Sequence, residues 1–200
     1  MDFTEQAGIY LFHKERMNEF GAGTTGALGW KSDNSQLARF AMLEGIGNMN
    51  GSTVLDVGCG HGDLGIYLHE KYPQVCYAGI DIMEEFLQVA VERLVHLPAA
   101  IFYLGDFCTV GLPAVDYVIA CGSLSYKNVD ADYIYKAINK LFNTCRTAFG
   151  FNLLSSVDFP SAFLETYQPT DVINYCRTLT GNVVLHQGYF ERDFTVWMYK

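Results

Sequence analysis

The stretch VLDVGCGHGDLG, residues 54–65, sets an acid, Asp56, ahead of Gly58, Gly60 and Gly62, three glycines at every second position. Two chemistries share this spacing. Counted from Gly60, G-H-G-D-L-G is the glycine pattern that cradles a pyrophosphate at a helix N-terminus, which implies a dinucleotide and redox chemistry. Counted from Asp56, D-V-G-C-G-H-G puts a carboxylate beside the same turn, which suits a cationic cofactor and alkyl transfer. A second acid, Asp81, closes the apolar run VCYAGID 19 residues beyond Gly62. It can accept from ribose hydroxyls in either reading, so the acids and glycines agree on a place and leave the ligand open.

Three features separate the readings. A carboxylate at Asp56 beside a bound pyrophosphate costs a few kcal/mol in like-charge repulsion, roughly, at interior dielectric. Beside a sulfonium or ammonium it stabilises. The run AIFYLGDF ends in Gly105-Asp106-Phe107, a carboxylate acceptor and an apolar ring, which suits an adenine amino group. Finally, the chain ends in two strand-like runs, NVVLHQGYF and DFTVWMYK, too close in sequence to be parallel neighbours. The usual nicotinamide domain has no place for such a hairpin.

The elements that must hold these residues follow from periodicity. Short continuous apolar runs (TVLDVG, VCYAGID, AIFYLGD, AVDYVIACG, TAFGFNLLS) alternate with helical patterns over Ser35–Gly45, Leu64–Tyr72, MEEFLQVAVERL, DADYIYKAINKLFNTCR and PTDVINYCRTL, the last capped by Thr170 or Asp171. Alternation of this kind predicts βαβ units and a parallel sheet covered on both faces. The expected fold is α/β: a Rossmann-like, doubly wound, seven-stranded sheet, mostly parallel, with a C-terminal antiparallel hairpin and helices on both faces. Ahead of it, Ile9, Leu11, Phe12, Met17 and Phe20 form a short amphipathic segment. FGAGTTGALGW, with four glycines in eleven residues, reads as a mobile loop. The division expected is a helical cap or lid over residues 1–45 and a cofactor-binding domain over 46–200.

Composition narrows the class. With 13 basic and 22 acidic residues among 200, the formal charge is −9, which opposes sequence-independent nucleic-acid binding. Half the residues are apolar, enough for a full core. The six cysteines show no C-x-x-C pair and no histidine at zinc-ligand spacing, so they read as buried free thiols in a reducing compartment, and no metal is expected. The first residues carry acids and no apolar signal-peptide core, and no apolar run reaches the length of a membrane span. A cytoplasmic protein with no membrane partner is the expectation.

Taken in order, residues 54–62, GID at 79–81, LGDF at 104–107, DYVIACGSLSY at 116–126 and the closing hairpin resemble the motifs of class I S-adenosylmethionine (SAM)-dependent methyltransferases, over about residues 50–200. The resemblance implies SAM as cofactor and assigns roles. Gly58, Gly60 and Gly62 let the backbone approach its methionine part. Asp56 favours its cationic end. Asp81 accepts both ribose hydroxyls, with Ile82 on the adenine face. Asp106 and the Phe107 amide read the adenine edge, and Cys121 and Gly122 offer carbonyls near the ammonium.

The acceptor is less constrained. The loop CGSLSY is not the Asn/Asp-Pro-Pro-aromatic tetrad of adenine or glutamine N-methyltransferases, and no Pro-Cys nucleophile or catechol-type metal cluster is present. Elimination and charge favour a small molecule. GAGTTGALGW and LLSSVDF are the expected pocket walls, with Asp158, Phe159 and Tyr167 nearby, and Tyr10, Phe12 and Trp30, flanking the glycine-rich segment, offer apolar surface that a lid would close over bound cofactor. Candidate bases, if one is needed, are Tyr126, His13 and His186. The competing expectation is a member that binds SAM without transferring its methyl group, either cyclising the aminobutyryl arm or serving as a non-catalytic subunit.

Overall fold

The computed structural model describes residues 3–97, 99–157, 161, 163–190 and 192–200. Seven strands form one sheet: β1 (Thr53–Val57), β2 (Cys76–Asp81), β3 (Ala100–Leu104), β4 (Val115–Ala120), β5 (Cys145–Leu154), β6 (Val183–Gln187) and β7 (Asp193–Tyr199), in the order β3-β2-β1-β4-β5-β7-β6. The first five are parallel, and β7 runs antiparallel between β5 and β6. The hairpin is therefore where the sequence places it. Its insertion, with the last strand inside and β6 at the edge, is a tertiary result.

Six helices complete the fold: α1 (Phe3–Phe20), α2 (Asp33–Glu44), α3 (Asp63–Lys71), α4 (Glu84–Leu94), α5 (Tyr133–Thr144) and α6 (Pro169–Leu179). Alternate residues of each strand face opposite layers. Leu55 and Val57 pack with Ile134, Ile138 and Leu141 of α5 and Val172 and Cys176 of α6. Val54, one residue off, packs on the other face with Phe40 and Leu43 of α2 and Leu64 and Leu68 of α3. Each such side chain contributes about 1.5–3 kcal/mol when fully buried, so α2 is held by the sheet as firmly as the helices after it. Two helix starts illustrate local control. Ser32 and Ser35 bond reciprocally across the first turn of α2. α6 is capped by neither Thr170 nor Asp171: Gln168 occupies the cap without a side-chain bond, and Pro169, which has no N–H to satisfy, starts the helix.

The N-terminal region departs from its expected patterning. Along α1 the buried residues are Ile9 and His13, one helical turn apart, while Leu11 and Phe20 are exposed. The glycine-rich segment that follows is tied down. Arg16 Nε donates to Gly26 O at 2.6 Å, Thr25 Oγ1 to Asp33 Oδ1 at 2.6 Å, and Trp30 N to Thr25 O at 3.1 Å. All six cysteines are free. Four are buried, Cys108 is half-buried, and Cys76 is exposed because it opens β2. Among the described residues no helix is long and apolar enough to cross a membrane, and no group of three or more His, Cys, Asp or Glu could hold a metal ion.

Candidate functional site

The chain leaves β1 toward β2 on one side, and β4 lies on the other, so the carboxyl end of β1 is the crevice where open α/β sheets bind ligands. A cavity of about 100 Å³ sits there, walled by Asp56, Gly58, Gly60, Asp81, Ile82, Phe107, Cys121 and Gly122, and roofed by Ile9 and His13 of α1 with Leu28 and Trp30. Gly58 has φ +72°, and a Cβ on it would lie 2.3 Å from Ser123 Cβ. Only glycine fits that corner. A Cβ on Gly122, φ +74°, would lie 2.6 Å from the Trp30 ring. The turn is pinned to β2, because Gly58 N and Cys59 N both donate to Ile80 O, at 2.8 and 3.1 Å.

The two acids differ in their surroundings. Asp81 Oδ2 accepts from Gly60 N and Oδ1 from Met83 N, both at 2.9 Å, and the carboxylate faces the cavity with acceptor capacity to spare for a ribose hydroxyl. Burial raises its pKa, and its backbone donors pull the other way. Asp56 is 2% exposed and accepts from the Tyr77 hydroxyl at 2.6 Å. Burial pushes its carboxyl up to about 7, and the negative Asp81 and Asp63 add to the rise. Among the described residues no cation pairs with Asp56. A buried carboxylate facing a cavity without a counter-ion, beside a glycine cradle and a diol acceptor, fits a cationic nucleoside such as SAM.

A second cavity of about 390 Å³ opens beside the first. Phe12, Trp30 and Phe190 give it aromatic walls, and Lys31, Arg39 and Arg192 also line it. The Arg39 guanidinium lies between the rings of Trp30 and Phe190, 4.9 and 4.8 Å from their centroids, and pairs with the buried Asp193. Between the cavities stand His13 and Tyr126. His13 Nδ1 is 3.0 Å from Ala27 O and Nε2 is 2.7 Å from Tyr126 Oη. A carbonyl only accepts, so Nδ1 carries the proton and the Tyr126 hydroxyl donates to Nε2.

The structure brings together most of the residues singled out in the sequence, and it separates others. Asp56, Gly58, Gly60, Asp81, Ile82, Phe107, Cys121, Gly122, Trp30, His13 and Tyr126 share the crevice. Gly62 lies behind it: a Cβ there would meet Leu94 at 2.8 Å, so this glycine lets α3 approach α4. Asp106 also lies behind the wall. Its Oδ1 accepts from Cys108 N at 2.8 Å and its Oδ2 from Gln6 Nε2 at 3.1 Å, so a primary amide of α1 contacts the oxygen expected to take adenine's amino group. Three expectations are corrected. Tyr10 is not a pocket wall, because it falls off the Ile9–His13 face and reaches Glu85 at 3.1 Å, 40% exposed. Tyr167 joins the core beneath α5 and α6. His186 is on the edge strand β6, its ring 3.9 Å from that of Trp197, far from either cavity. Asp158 and Phe159 lie outside the described residues. Sequence reading missed Gln36, Arg39, Phe86 and Ser123 as lining residues. The one available signal was the lone polar residue His13 on the apolar stripe of α1.

Comparison with known proteins agrees with this geometry. Residues 54–147 match the methyltransferase-domain family model. A curated relative from Mycobacterium tuberculosis, named "Putative methyltransferase Rv1506c", is 27% identical over 158 residues, covering 74% of this chain and 93% of that one. The SAM-bound structure of magnesium protoporphyrin IX methyltransferase from Synechocystis PCC 6803 is similar over 100% of this chain and 98% of that one, with 17% identity and a TM-score of 0.72. A SAM-dependent methyltransferase from Aquifex aeolicus is similar over 84% of this chain and 93% of that one, with 20% identity and a TM-score of 0.63. At these identities the structural likeness speaks for the fold. The matched residues run from the glycine turn through the ends of β2, β3 and β4, the segments that build the crevice. Residues 54–147 are thus similar to the methyltransferase-domain family, and the seven-stranded sheet around them has the Rossmann-like fold of solved SAM-dependent methyltransferases.

Proposed function

We propose that this protein is a SAM-dependent methyltransferase acting on a small molecule bound in the larger cavity, with SAM in the crevice beside it. The observation that carries the reading is Asp56: a buried carboxylate lacking a cationic partner among the described residues, held where a cationic cofactor would complete it. When bound, SAM supplies a methyl group already activated on a sulfonium. The protein's part is then mainly orientation, which can supply several kcal/mol of the barrier, about 7–11 in favourable cases. Gly58 and Gly60 admit the methionine part, Asp81 holds the ribose, and Ile82 and Phe107 bracket the base. The acidic chain, with its −9 formal charge, favours a small acceptor over nucleic acid. The free cysteines suit a reducing, cytoplasmic setting.

In this reading α1 and the turn after it form a lid. Ligand pockets usually enclose about 300–1,000 Å³, and the crevice as seen encloses about 100 Å³ beneath Ile9 and His13. SAM therefore enters by displacing α1, and Gln6 leaves Asp106 as it does so. α2, packed on the sheet, stays in place, so the moving part is shorter than the whole 1–45 segment.

The test is calorimetric titration with SAM followed by incubation with methyl-labelled SAM and a panel of small molecules. Micromolar binding, label in a small-molecule product and release of S-adenosylhomocysteine are expected. Lack of SAM binding would sink the reading. Release of methylthioadenosine would show cyclisation in its place.

A further inference from the structure

Cofactor binding leaves one buried polar arrangement unexplained. His13, 4% exposed, sits on the inner face of α1 with its protonation pattern dictated by Ala27 O, and it accepts a 2.7 Å bond from a tyrosine 113 residues away. Leu28, Trp30, Gly122 and Tyr126 line both cavities, and of these only Tyr126 carries a hydroxyl. A transferred methyl group must cross at this junction.

We infer that His13 and Tyr126 form a proton relay, and that the acceptor is a hydroxylated aromatic ring methylated on oxygen. The inference rests on the reading of the two cavities as cofactor and acceptor sites. Its geometry follows the general logic of a reacting group, a base within hydrogen-bond reach and a third group that orients the base. Here these are Tyr126, His13 Nε2 and Ala27 O. The imidazole is packed edge-on against Phe12 and Phe86, each 5.0 Å between centroids, which keeps water from it.

The chemistry selects the acceptor. A carboxylate is ionised near neutrality and needs no base. A phenol, with a pKa of about 10, must lose its proton as its oxygen attacks. Phe12, Trp30 and Phe190 offer ring faces in the acceptor cavity. In the step, the acceptor O–H passes its proton to Tyr126 Oη while the proton of Tyr126 moves to His13 Nε2. The acceptor oxygen forms the O–CH3 bond, and the electron pair of the broken S–CH3 bond stays on sulfur. The products are a methyl ether, a neutral thioether and an imidazolium at His13, which returns its proton to solvent when the lid opens. Burial, with Arg16 in the same direction, holds the pKa of His13 below its ordinary value and keeps the ring neutral before the step, against the bond to Ala27. The charged and titratable groups facing the pair are Arg16 on α1, His61 in the glycine turn and Asp81 at the end of β2.

The experiment uses His13→Gln, whose side-chain carbonyl can still accept from Tyr126, and Tyr126→Phe, which keeps the ring. The probes are methyl-labelled SAM and a series of 4-substituted phenols from 4-methoxyphenol to 4-nitrophenol. Wild-type kcat/KM should rise with pH along a limb set by His13. His13→Gln should lose that limb and about 10²–10⁴-fold of activity on 4-methoxyphenol, and should lose little on 4-nitrophenol at a pH where it is already ionised. Equal losses on both phenols would mean that the pair only latches the lid, which overturns the relay. Nitrogen NMR of the imidazole gives a readout independent of turnover. A neutral ring protonated at Nδ1, perturbed at Nε2 by Tyr126→Phe, is expected with S-adenosylhomocysteine bound. An imidazolium or the opposite tautomer overturns the proposal. SAM binding without methyl transfer to any phenol defeats this inference alone, whereas absence of SAM binding defeats the reading beneath it.

Discussion

The crevice proposed for the cofactor and the larger cavity proposed for the acceptor share a wall and are built by different means. In the crevice the linking contacts are between backbone and nearby chain: Gly58 to Ile80, Gly60 to Asp81, Asp56 to Tyr77, all within about one βαβ unit. Around the larger cavity the contacts are between side chains far apart in sequence, with Arg39 on Asp193 and, at the wall shared with the crevice, Tyr126 on His13. The N-terminal helix adds another, Glu5 Oε1 accepting from Val129 N at 2.5 Å. The difference teaches that the floor of the crevice is preformed by the sheet, whereas its roof, with the His13–Tyr126 contact at the wall the two cavities share, exists only when α1 is docked. Opening α1 leaves the floor intact and removes the roof and that contact.

The contrast can be broken or sharpened by measurement. Gly58→Ala should have the largest effect. The positive φ and the 2.3 Å approach to Ser123 combine strain and overpacking, a cost of about 2–5 kcal/mol. Urea unfolding and SAM titration should both register it, and a neutral result would mean the turn is not rigid. Next, saturating SAM at about 100 times its Kd should slow hydrogen exchange of opening-limited amides in residues 8–30 by about 100-fold. Amides of α2 beyond Phe40 should be slow with or without ligand. Equal exchange of residues 8–30 in both states would mean that α1 is a fixed part of the fold. Third, Asp81→Ala should weaken SAM by about 1.5–3 kcal/mol, the range for hydrogen bonds to a charged group, in a chain that remains folded by circular dichroism. Unchanged affinity would remove Asp81 from the site.

A fourth effect depends on pH. The carboxyl of Asp56, raised to about 7 in the folded chain from 3.8, binds a proton that the unfolded chain releases between those values. Its contribution to stability is therefore full below about pH 4 and is lost as pH rises to about 7, by at most about 1.4 kcal/mol per pH unit. A cationic cofactor lowers that pKa, so the SAM-induced rise in Tm should grow across this window. Asp56→Asn should abolish the growth, which separates it from the titration of Asp193 and His61. A SAM effect independent of pH in the wild type would contradict the pairing. The smallest change should come from Tyr10→Phe, which removes exposed interactions with Glu85 and Lys14. It should alter stability by about 0.5 kcal/mol or less and leave methyl transfer as it was. A large loss of activity would return Tyr10 to the acceptor site.

How much of this was legible follows the same division. Asp56, the glycines and Asp81 were readable because a strand, a tight turn and the next strand's end are adjacent in sequence, and their backbone needs special residue types. The hairpin was readable because its connection is too short for a crossover. Tyr10 was expected to present its ring to bound cofactor under the lid, but the inward face of α1 is set by Ile9 and His13. Tyr167 and His186 were misjudged for a related reason: residue type does not say which layer a side chain meets.

By itself, then, the amino-acid order determined the α/β alternation, the parallel sheet with its antiparallel end and the place of the glycine turn after β1. Each of these follows from local periodicity and from the steric demands of a few glycines. Only the tertiary structure decided that β7 lies inside β6, that α2 belongs to the sheet while α1 roofs the crevice, and that His13 meets Tyr126. Those outcomes depend on which apolar faces bury one another across more than a hundred residues, and no local pattern encodes the pairing of two such faces.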